Sequence, residues 1–137
     1  MSLQLRFAPY TLDFNFAAGT SRGVFHTKKV WFIKLYEEND KSIFGLGEIA
    51  PIDRLSVDNN ASFEEELDEL SALIKRSDLP KNTEEVYKLV ATLVPKELPS
   101  IRFALEIAFL DLINGGAREI FKNDFFKEQQ KIPINGL

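Results

Sequence analysis

A helix that is apolar around most of its circumference is predicted by SIRFALEIAFLDLIN, residues 100–114. A helix of this kind is usually buried on more than one side. Its few polar residues include Arg102 and Glu106, which lie one helical turn apart, so we expect them to pair. Asp111 would join them at a domain boundary. Gly115-Gly116 ends the helix.

Two amphipathic helices are predicted immediately upstream. Ser62 and Glu65 have the spacing of a capping box at the start of the first helix, and Thr83 is the predicted cap of the second, which runs to about Val94. The apolar stripes are Phe63, Leu67, Leu70, Leu73 and Ile74 in the first helix and Val86, Leu89, Val90 and Leu93 in the second. These helices and a small sheet can hardly cover the third helix, so we expect a further part of the protein to cover it.

Alternation of apolar and polar residues predicts three strands ahead of the helices. In the first strand the apolar set changes parity at Pro9, from Leu3, Leu5 and Phe7 to Tyr10, Leu12, Phe14 and Phe16, which predicts a bulge there. The second strand is Lys29–Tyr36. The third is Ser42–Ala50, in which Gly45 and Gly47 leave one face bare for close packing. Short connections make the three strands an antiparallel meander.

Residues Ala17–Thr27 interrupt the alternation and have the composition of a loop, with Gly19 and Gly23 near its centre. Two interpretations stay open from composition alone. The segment is either a hinge or long hairpin loop, or a mobile lid in which Arg22 can meet a carboxylate.

The C-terminal residues Lys131–Leu137 have the pattern of the opening of a buried strand. An unpaired strand leaves backbone donors and acceptors unsatisfied, so we interpret the chain as the front part of a larger protein. The sequence therefore predicts an α+β domain over residues 1–114, a connector over 115–131, and the start of a second domain at 132–137.

Composition excludes several classes of function. The chain of 137 residues is 45% hydrophobic and 28% charged, which suits one globular domain. The net charge is −4 and there is no basic stripe, which argues against nucleic acid or an anionic membrane as partner. There is no cysteine for a disulfide or a thiolate. No apolar run reaches the roughly 20 residues of a membrane helix, and no signal-peptide pattern occurs, so we expect a cytoplasmic protein.

No complete catalytic or metal-binding set is present. His26 is the one histidine and is more often structural or solvated in such a position. Glu48 lies at the end of the third strand and could be a metal ligand or a general base, although a solvated edge position is the more common case. The acidic group Glu64–Glu69 is better explained as a solvated helix face than as a metal site. We therefore expect neither a catalytic residue nor a metal ligand in this chain.

Four segments together resemble the enolase superfamily and, within it, the o-succinylbenzoate synthase family. They are Gly19–Gly23, Phe44–Pro51, Pro99–Leu112 and Ile132–Leu137. The resemblance implies an N-terminal capping domain of three strands and three helices, followed by the first strand of a (β/α)₈ barrel that is otherwise absent. It also implies Mg²⁺ held by barrel carboxylates, a barrel lysine as base, and a small carboxylate substrate that loses a β-hydroxyl.

By the same resemblance, two cap segments close over the mouth of the barrel, Gly19–Phe25 and Ala50–Leu55. The residues implied to line the site are Thr20, Ser21, Arg22, Pro51, Ile52 and Leu55. Among them, Arg22 would face the succinyl carboxylate of the substrate. Dipeptide epimerases and muconate cycloisomerase-like enzymes share this cap and remain alternatives. A non-catalytic module that binds a protein partner through the third helix and Ile132–Leu137 is the alternative from another class.

Overall fold

The computed structural model describes residues 2–21 and 23–134. Three strands come first: β1 (Leu3–Thr20), β2 (Gly23–Glu37) and β3 (Asp40–Ile49). Three helices follow: α1 (Phe63–Ile74), α2 (Thr83–Leu93) and α3 (Pro99–Ile113). The sheet is antiparallel with strand order β1-β2-β3, so the predicted meander followed by helices is confirmed.

The hydrophobic core lies between one face of the sheet and the three helices. Cross-strand pairs such as Leu5 with Leu35 contribute from the sheet. The predicted stripe of α1 is buried except at Leu73, which is 44% exposed. Each fully buried aliphatic or aromatic side chain of this kind stabilises the fold by roughly 1.5–3 kcal/mol. The largest fully buried side chains are Phe63, Phe109, Leu3, Ile33, Leu35, Ile49, Leu67, Ile74, Ile101, Leu105, Leu110 and Val30.

Helix α3 lies directly against β3 because two glycines leave room for its backbone. A Cβ atom on Gly45 would lie 1.8 Å from the carbonyl oxygen of Ala108, and one on Gly47 would lie 2.0 Å from that of Ala104. This close approach lets the sheet and the other helices bury most of α3. The expectation that a further part of the protein must cover α3 is therefore wrong for most of its length. Phe103, at 60% exposure, stays open to solvent.

Strand β1 is regular through Pro9, which pairs with Trp31, so the predicted bulge at Pro9 is wrong. The register shifts later, between Asp13 and Ala18. Proline fits an edge strand because its missing N–H is not needed by the ladder. The change of parity instead marks apolar side chains that stay exposed, among them Phe16 at 71%.

The helix caps also differ from their predictions. Ser62 is the N-cap of α1, but its side chain makes no capping hydrogen bond. Asn82, rather than Thr83, is the N-cap of α2: its Oδ1 accepts from the N–H of Glu85 at 3.0 Å. Glu85 reciprocates, because its Oε2 accepts from the N–H of Lys81 at 2.9 Å. The two bonds resemble a capping box, except that Glu85 accepts from the residue before the N-cap. The N-cap itself lies one residue earlier than predicted.

The predicted C-terminal strand is not formed in the described residues. Lys131–Ile134 are exposed and have no regular structure, and Asn135–Leu137 lie outside the described residues. A strand needs a neighbour for its backbone groups, and residues 2–21 and 23–130 offer none beside this segment. No helix in the described ranges is long and apolar enough to cross a membrane.

Candidate functional site

The topology brings the two implied lid segments to the same end of the sheet. Strand β3 ends at Ile49, which pairs with Trp31 in β2. Because β2 is antiparallel to both neighbours, its first residues, the end of β1 and the end of β3 all lie at this end. The turn between β1 and β2 and the loop after β3 therefore share one side of the molecule.

The β1–β2 hairpin extends well past β3. Its arms pair as far as Thr20 with Gly23, whereas β3 stops opposite Trp31. At roughly 3.3 Å per residue, the arm Gly23–Val30 projects about 26 Å beyond β3. The prediction of a loop over Ala17–Thr27 is wrong for the described residues, because residues 17–20 and 23–27 lie in strands. Local composition misled because glycine and small residues here form the tip and an irregular ladder rather than a coil.

The hairpin tip is tight and carries small polar groups. Thr20 Oγ1 donates to the carbonyl of Gly23 at 3.0 Å. Gly23 has a φ of +135°, a region in which only glycine is unstrained. Ser21 is exposed, and Arg22 lies outside the described residues. Apolar side chains are exposed along the arms below the tip, including Phe14 at 42% and Val24 at 60%.

The loop after β3 folds back on itself. The carbonyl of Ile52 accepts from the N–H groups of Leu55 at 3.1 Å and Ser56 at 2.9 Å. Ser56 Oγ accepts from the N–H of Ile52 at 2.9 Å, and Arg54 has a φ of +61°. Pro51 is half-buried at the base of this turn. Ile52 and Leu55 stay 37% and 51% exposed, so the turn presents apolar side chains on a fixed backbone.

Asp58 anchors this loop to the third helix. Its carboxylate is buried, at 4% exposure, and accepts from both the N–H and the Oγ of Ser100 at 2.8 Å. The bonds satisfy one of the free N–H groups in the first turn of α3. Sequence reasoning missed Asp58 because its partner is 42 residues away and no local spacing points to it.

Trp31 connects the same end of the sheet to α1. Its ring lies 4.6 Å from that of Phe63, and its Nε1 donates to Glu64 Oε1 at 2.9 Å. Lys29 Nζ is 3.6 Å from the same oxygen. The hydrogen bond from Trp31 is the main reason that the pKa of Glu64 is lowered, with Lys29 assisting. The Glu64 carboxylate is thus engaged by Trp31 and Lys29 in a structural contact.

The remaining acidic and histidine candidates are dispersed. His26 is exposed on the hairpin, and Glu48 is half-buried on the edge strand. Within residues 2–21 and 23–134, no three acidic or histidine side chains come together in a way that could hold a metal ion.

Arg102 does not pair with Glu106 as predicted. Its Nε donates to the carbonyl of Val94 at 2.9 Å and its Nη2 to that of Ala91 at 3.3 Å, so it satisfies the C-terminal carbonyls of α2. Burial raises the pKa of Glu106, and the charge of Arg102 only partly opposes this.

Asp111 does not join Arg102 and Glu106 either. It is fully buried and pairs with Arg118, a residue that sequence reasoning missed. Seven positions separate the two across a glycine turn, which no helical spacing predicts.

Taken together, the end of the sheet offers one projecting hairpin and one fixed turn, both with exposed apolar side chains. Such an arrangement suits covering and shaping a neighbouring site.

No family model matches the chain. In sequence it is 33% identical, over 157 aligned positions, to o-succinylbenzoate synthase from Desulfotalea psychrophila; the match covers 98% of this chain and 42% of that protein. The crystal structure of MenC from the same organism superposes with a TM-score of 0.77 at 26% identity, covering 99% of this chain and 41% of that one. A dipeptide epimerase from Enterococcus faecalis gives a TM-score of 0.69 at 18% identity, covering 85% and 32%.

The chain therefore has the fold of an N-terminal capping domain of the enolase superfamily. Within that superfamily, o-succinylbenzoate synthase is a protein to which it is similar in both sequence and structure. It spans about two-fifths of that relative's length.

Proposed function

We propose that this chain is the lid and specificity domain of a Mg²⁺-dependent o-succinylbenzoate synthase. The observation that most strongly supports this proposal is the 33% sequence identity to such an enzyme over 98% of the chain. In this proposal residues 1–114 are the cap, 115–131 are the connector, and 132–137 begin the barrel. The reaction is the loss of a β-hydroxyl, as water, from a cyclohexadiene carboxylate, after a barrel lysine removes the proton α to the carboxylate.

The cap contributes closure and recognition rather than bond breaking. Thr20 and Ser21 at the hairpin tip, Arg22 next in sequence, and Pro51, Ile52 and Leu55 in the turn would line the substrate and exclude water. Apolar exposure at Ile52 and Leu55 and the shared end of the sheet support this role. Arg22 would pair with the succinyl carboxylate of the substrate.

The metal belongs to the barrel in this proposal. The described residues do not fit a Mg²⁺ site, since no three acidic or histidine groups converge among them. We therefore assign no residue of the described chain to the ion. The cap's partners are its own barrel and a small carboxylate substrate, in a cytoplasmic enzyme.

A dipeptide epimerase is the second candidate. The fold match to the Enterococcus faecalis enzyme supports a shared cap, although 18% identity carries the fold alone. The two candidate enzymes act on different substrates under the same type of cap, so an assay with both substrates distinguishes the two candidates.

A chimaera tests the proposal. This chain replaces the matching N-terminal part of the Desulfotalea psychrophila synthase, and the rejoined native enzyme is the control for the junction. We expect the chimaera to form o-succinylbenzoate and to leave dipeptides unchanged. A second chimaera joins this chain to the barrel of the Enterococcus faecalis dipeptide epimerase, because the barrel supplies the bond-breaking groups. Activity in that chimaera alone would favour the second candidate. A folded chimaera with neither activity would overturn the lid assignment.

Arg22→Ala in the active chimaera tests the specificity role. Loss of one charge-assisted hydrogen bond should lower kcat/KM about tenfold or more. Arg76→Ala, an exposed change at the C-terminal end of α1, is the matched control and should leave kcat/KM unaltered. An unchanged kcat/KM in Arg22→Ala would contradict the proposal that Arg22 contacts the substrate.

A further inference from the structure

Strand β3 has an open edge. It pairs with β2 on one side, and among the described strands none lies on its other side. The outward groups of such an edge are a template for another strand, and natural proteins protect them. Ile43 and Leu46 on this strand are 43% and 37% exposed, so the edge is also apolar.

Two side chains occupy hydrogen-bonding positions on β3 at this edge. Arg118 Nη1 donates to the carbonyl of Phe44 at 2.9 Å, and Asp111 Oδ2 accepts from the N–H of Leu46 at 3.0 Å. A carbonyl at one residue and an N–H two residues later are the pair of groups that a single residue of a parallel neighbour would engage. The carboxylate and guanidinium thus take the place of one residue of a fourth strand.

The pair is held firmly in place. Asp111 is fully buried and also accepts from the N–H of Arg118 at 2.7 Å. The guanidinium contacts the carboxylate, donates to the carbonyl of Gly116 at 2.9 Å, and lies 4.5 Å from the ring centre of Phe44. Gly116 has a φ of +67°, and a Cβ there would lie 2.6 Å from the Phe44 carbonyl. The glycine lets the connector approach the strand this closely.

We propose that Asp111 and Arg118 act as a substitute strand that blocks pairing of β3 with β3 of a second copy of this chain. Antiparallel pairing about Gly45 would set Phe44 opposite Leu46 of the second copy. That register places the half-buried Phe44 against the exposed Leu46 and satisfies the outward backbone groups of both residues in each copy. The proposal does not depend on the proposed enzymatic function, because it concerns the edge opposite β2 and not the lid segments.

Arg118→Ala tests the block by sedimentation velocity over a concentration series. Losing the guanidinium frees the Phe44 carbonyl, and we expect the mean mass to rise with concentration from 15.6 kDa towards twice that value. Lys34→Ala is the matched control. Its Nζ lies 3.9 Å from the centre of the same Phe44 ring, but the cation is on the neighbouring strand. The control should sediment like the parent chain.

Hydrogen exchange on the parent chain gives a second readout. The Leu46 amide, although on an edge strand, should exchange as slowly as amides within β2, and Arg118→Ala should speed it at least tenfold in dilute solution. Fast exchange of this amide in the parent would overturn the proposal. So would a folded Arg118→Ala that sediments like Lys34→Ala.

Arg118→Lys is the milder variant in case the alanine variant unfolds. It keeps the charge beside Asp111 but cannot donate to several carbonyls in a fixed fork, so partial self-association is expected. Global unfolding of both variants would also reject the proposal, because the pair would then be part of the core and not an edge cover.

Discussion

Gly45 and Gly47 set the distance between the sheet and α3. A methyl group at Gly47 would meet the Ala104 carbonyl oxygen at 2.0 Å, and backbone cannot move aside cheaply. We expect Gly47→Ala to lower the free energy of unfolding by about 2 kcal/mol or more, as overpacking does. Gly19→Ala is the control, since no atom lies within 4 Å of its Cβ position, and should change stability by less than about 0.5 kcal/mol. Urea unfolding midpoints measure both; equal midpoints would contradict the packing.

Glu64 and Glu106 should have opposite effects on stability at neutral pH. The pKa of Glu64 is lowered, chiefly by the Trp31 hydrogen bond, so its charged form stabilises the fold above its ordinary pKa of 4.5. That contribution is lost as pH falls through the lowered value. The pKa of Glu106 is raised by burial, so its neutral form suits the fold, and stability is lost as pH rises through the raised value.

Glu64→Gln should therefore be less stable than the parent chain at pH 7, and Glu106→Gln should be more stable. Both differences in stability should shrink below pH 4.5, because the two carboxyls of the parent chain become protonated there in the unfolded state. Thermal unfolding from pH 3 to pH 7 measures this. Differences that keep one value across the range would assign the effects to packing instead of ionisation.

At the scale of the elements, the N-caps of α1 and α2 differ, because only that of α2 makes a side-chain capping hydrogen bond. Mutation can measure this difference. Asn82→Ala removes an acceptor for the Glu85 N–H and should cost about 1 kcal/mol of stability. Ser62→Ala removes a side chain that makes no capping bond and should cost far less. Chemical unfolding of the two variants is the measurement. A larger loss for Ser62→Ala would restore the capping box that its spacing suggests.

At the scale of the whole molecule, exposed apolar side chains distinguish a cap from a self-sufficient binding module. Phe16, Val57 and Ile134 are 71%, 82% and 88% exposed. Large apolar side chains exposed to this degree bind hydrophobic dyes. We expect this chain to enhance the fluorescence of such a dye, and Phe16→Ser on the hairpin to reduce the effect without loss of helix content.

Tyr87→Ser is the control for that experiment, because Tyr87 is 42% exposed and lies on α2, away from the hairpin in sequence. It should leave the dye signal unchanged. A parent chain that is monodisperse and binds no dye would instead support the interaction module named among the alternatives.

The sequence was sufficient for the architecture because periodicity reports which face of each element is buried. The alternation up to Phe7 and in Lys29–Tyr36, and the stripes of α1 and α2, each located an element correctly. The bare face at Gly45 and Gly47 correctly predicted close packing, which in the structure is with the backbone of α3. Four segments together carried enough family pattern for the capping-domain fold to be recognised, namely Gly19–Gly23, Phe44–Pro51, Pro99–Leu112 and Ile132–Leu137.

Only the tertiary structure decided the long-range polar contacts. Asp58 with Ser100, Trp31 with Glu64 and Asp111 with the edge of β3 join residues far apart in the chain. Their geometry depends on how the layers pack, and no local spacing encodes it. The hairpin around Ala17–Thr27 was likewise decided by tertiary structure. Strand pairing between β1 and β2 there overrode a local composition typical of loops.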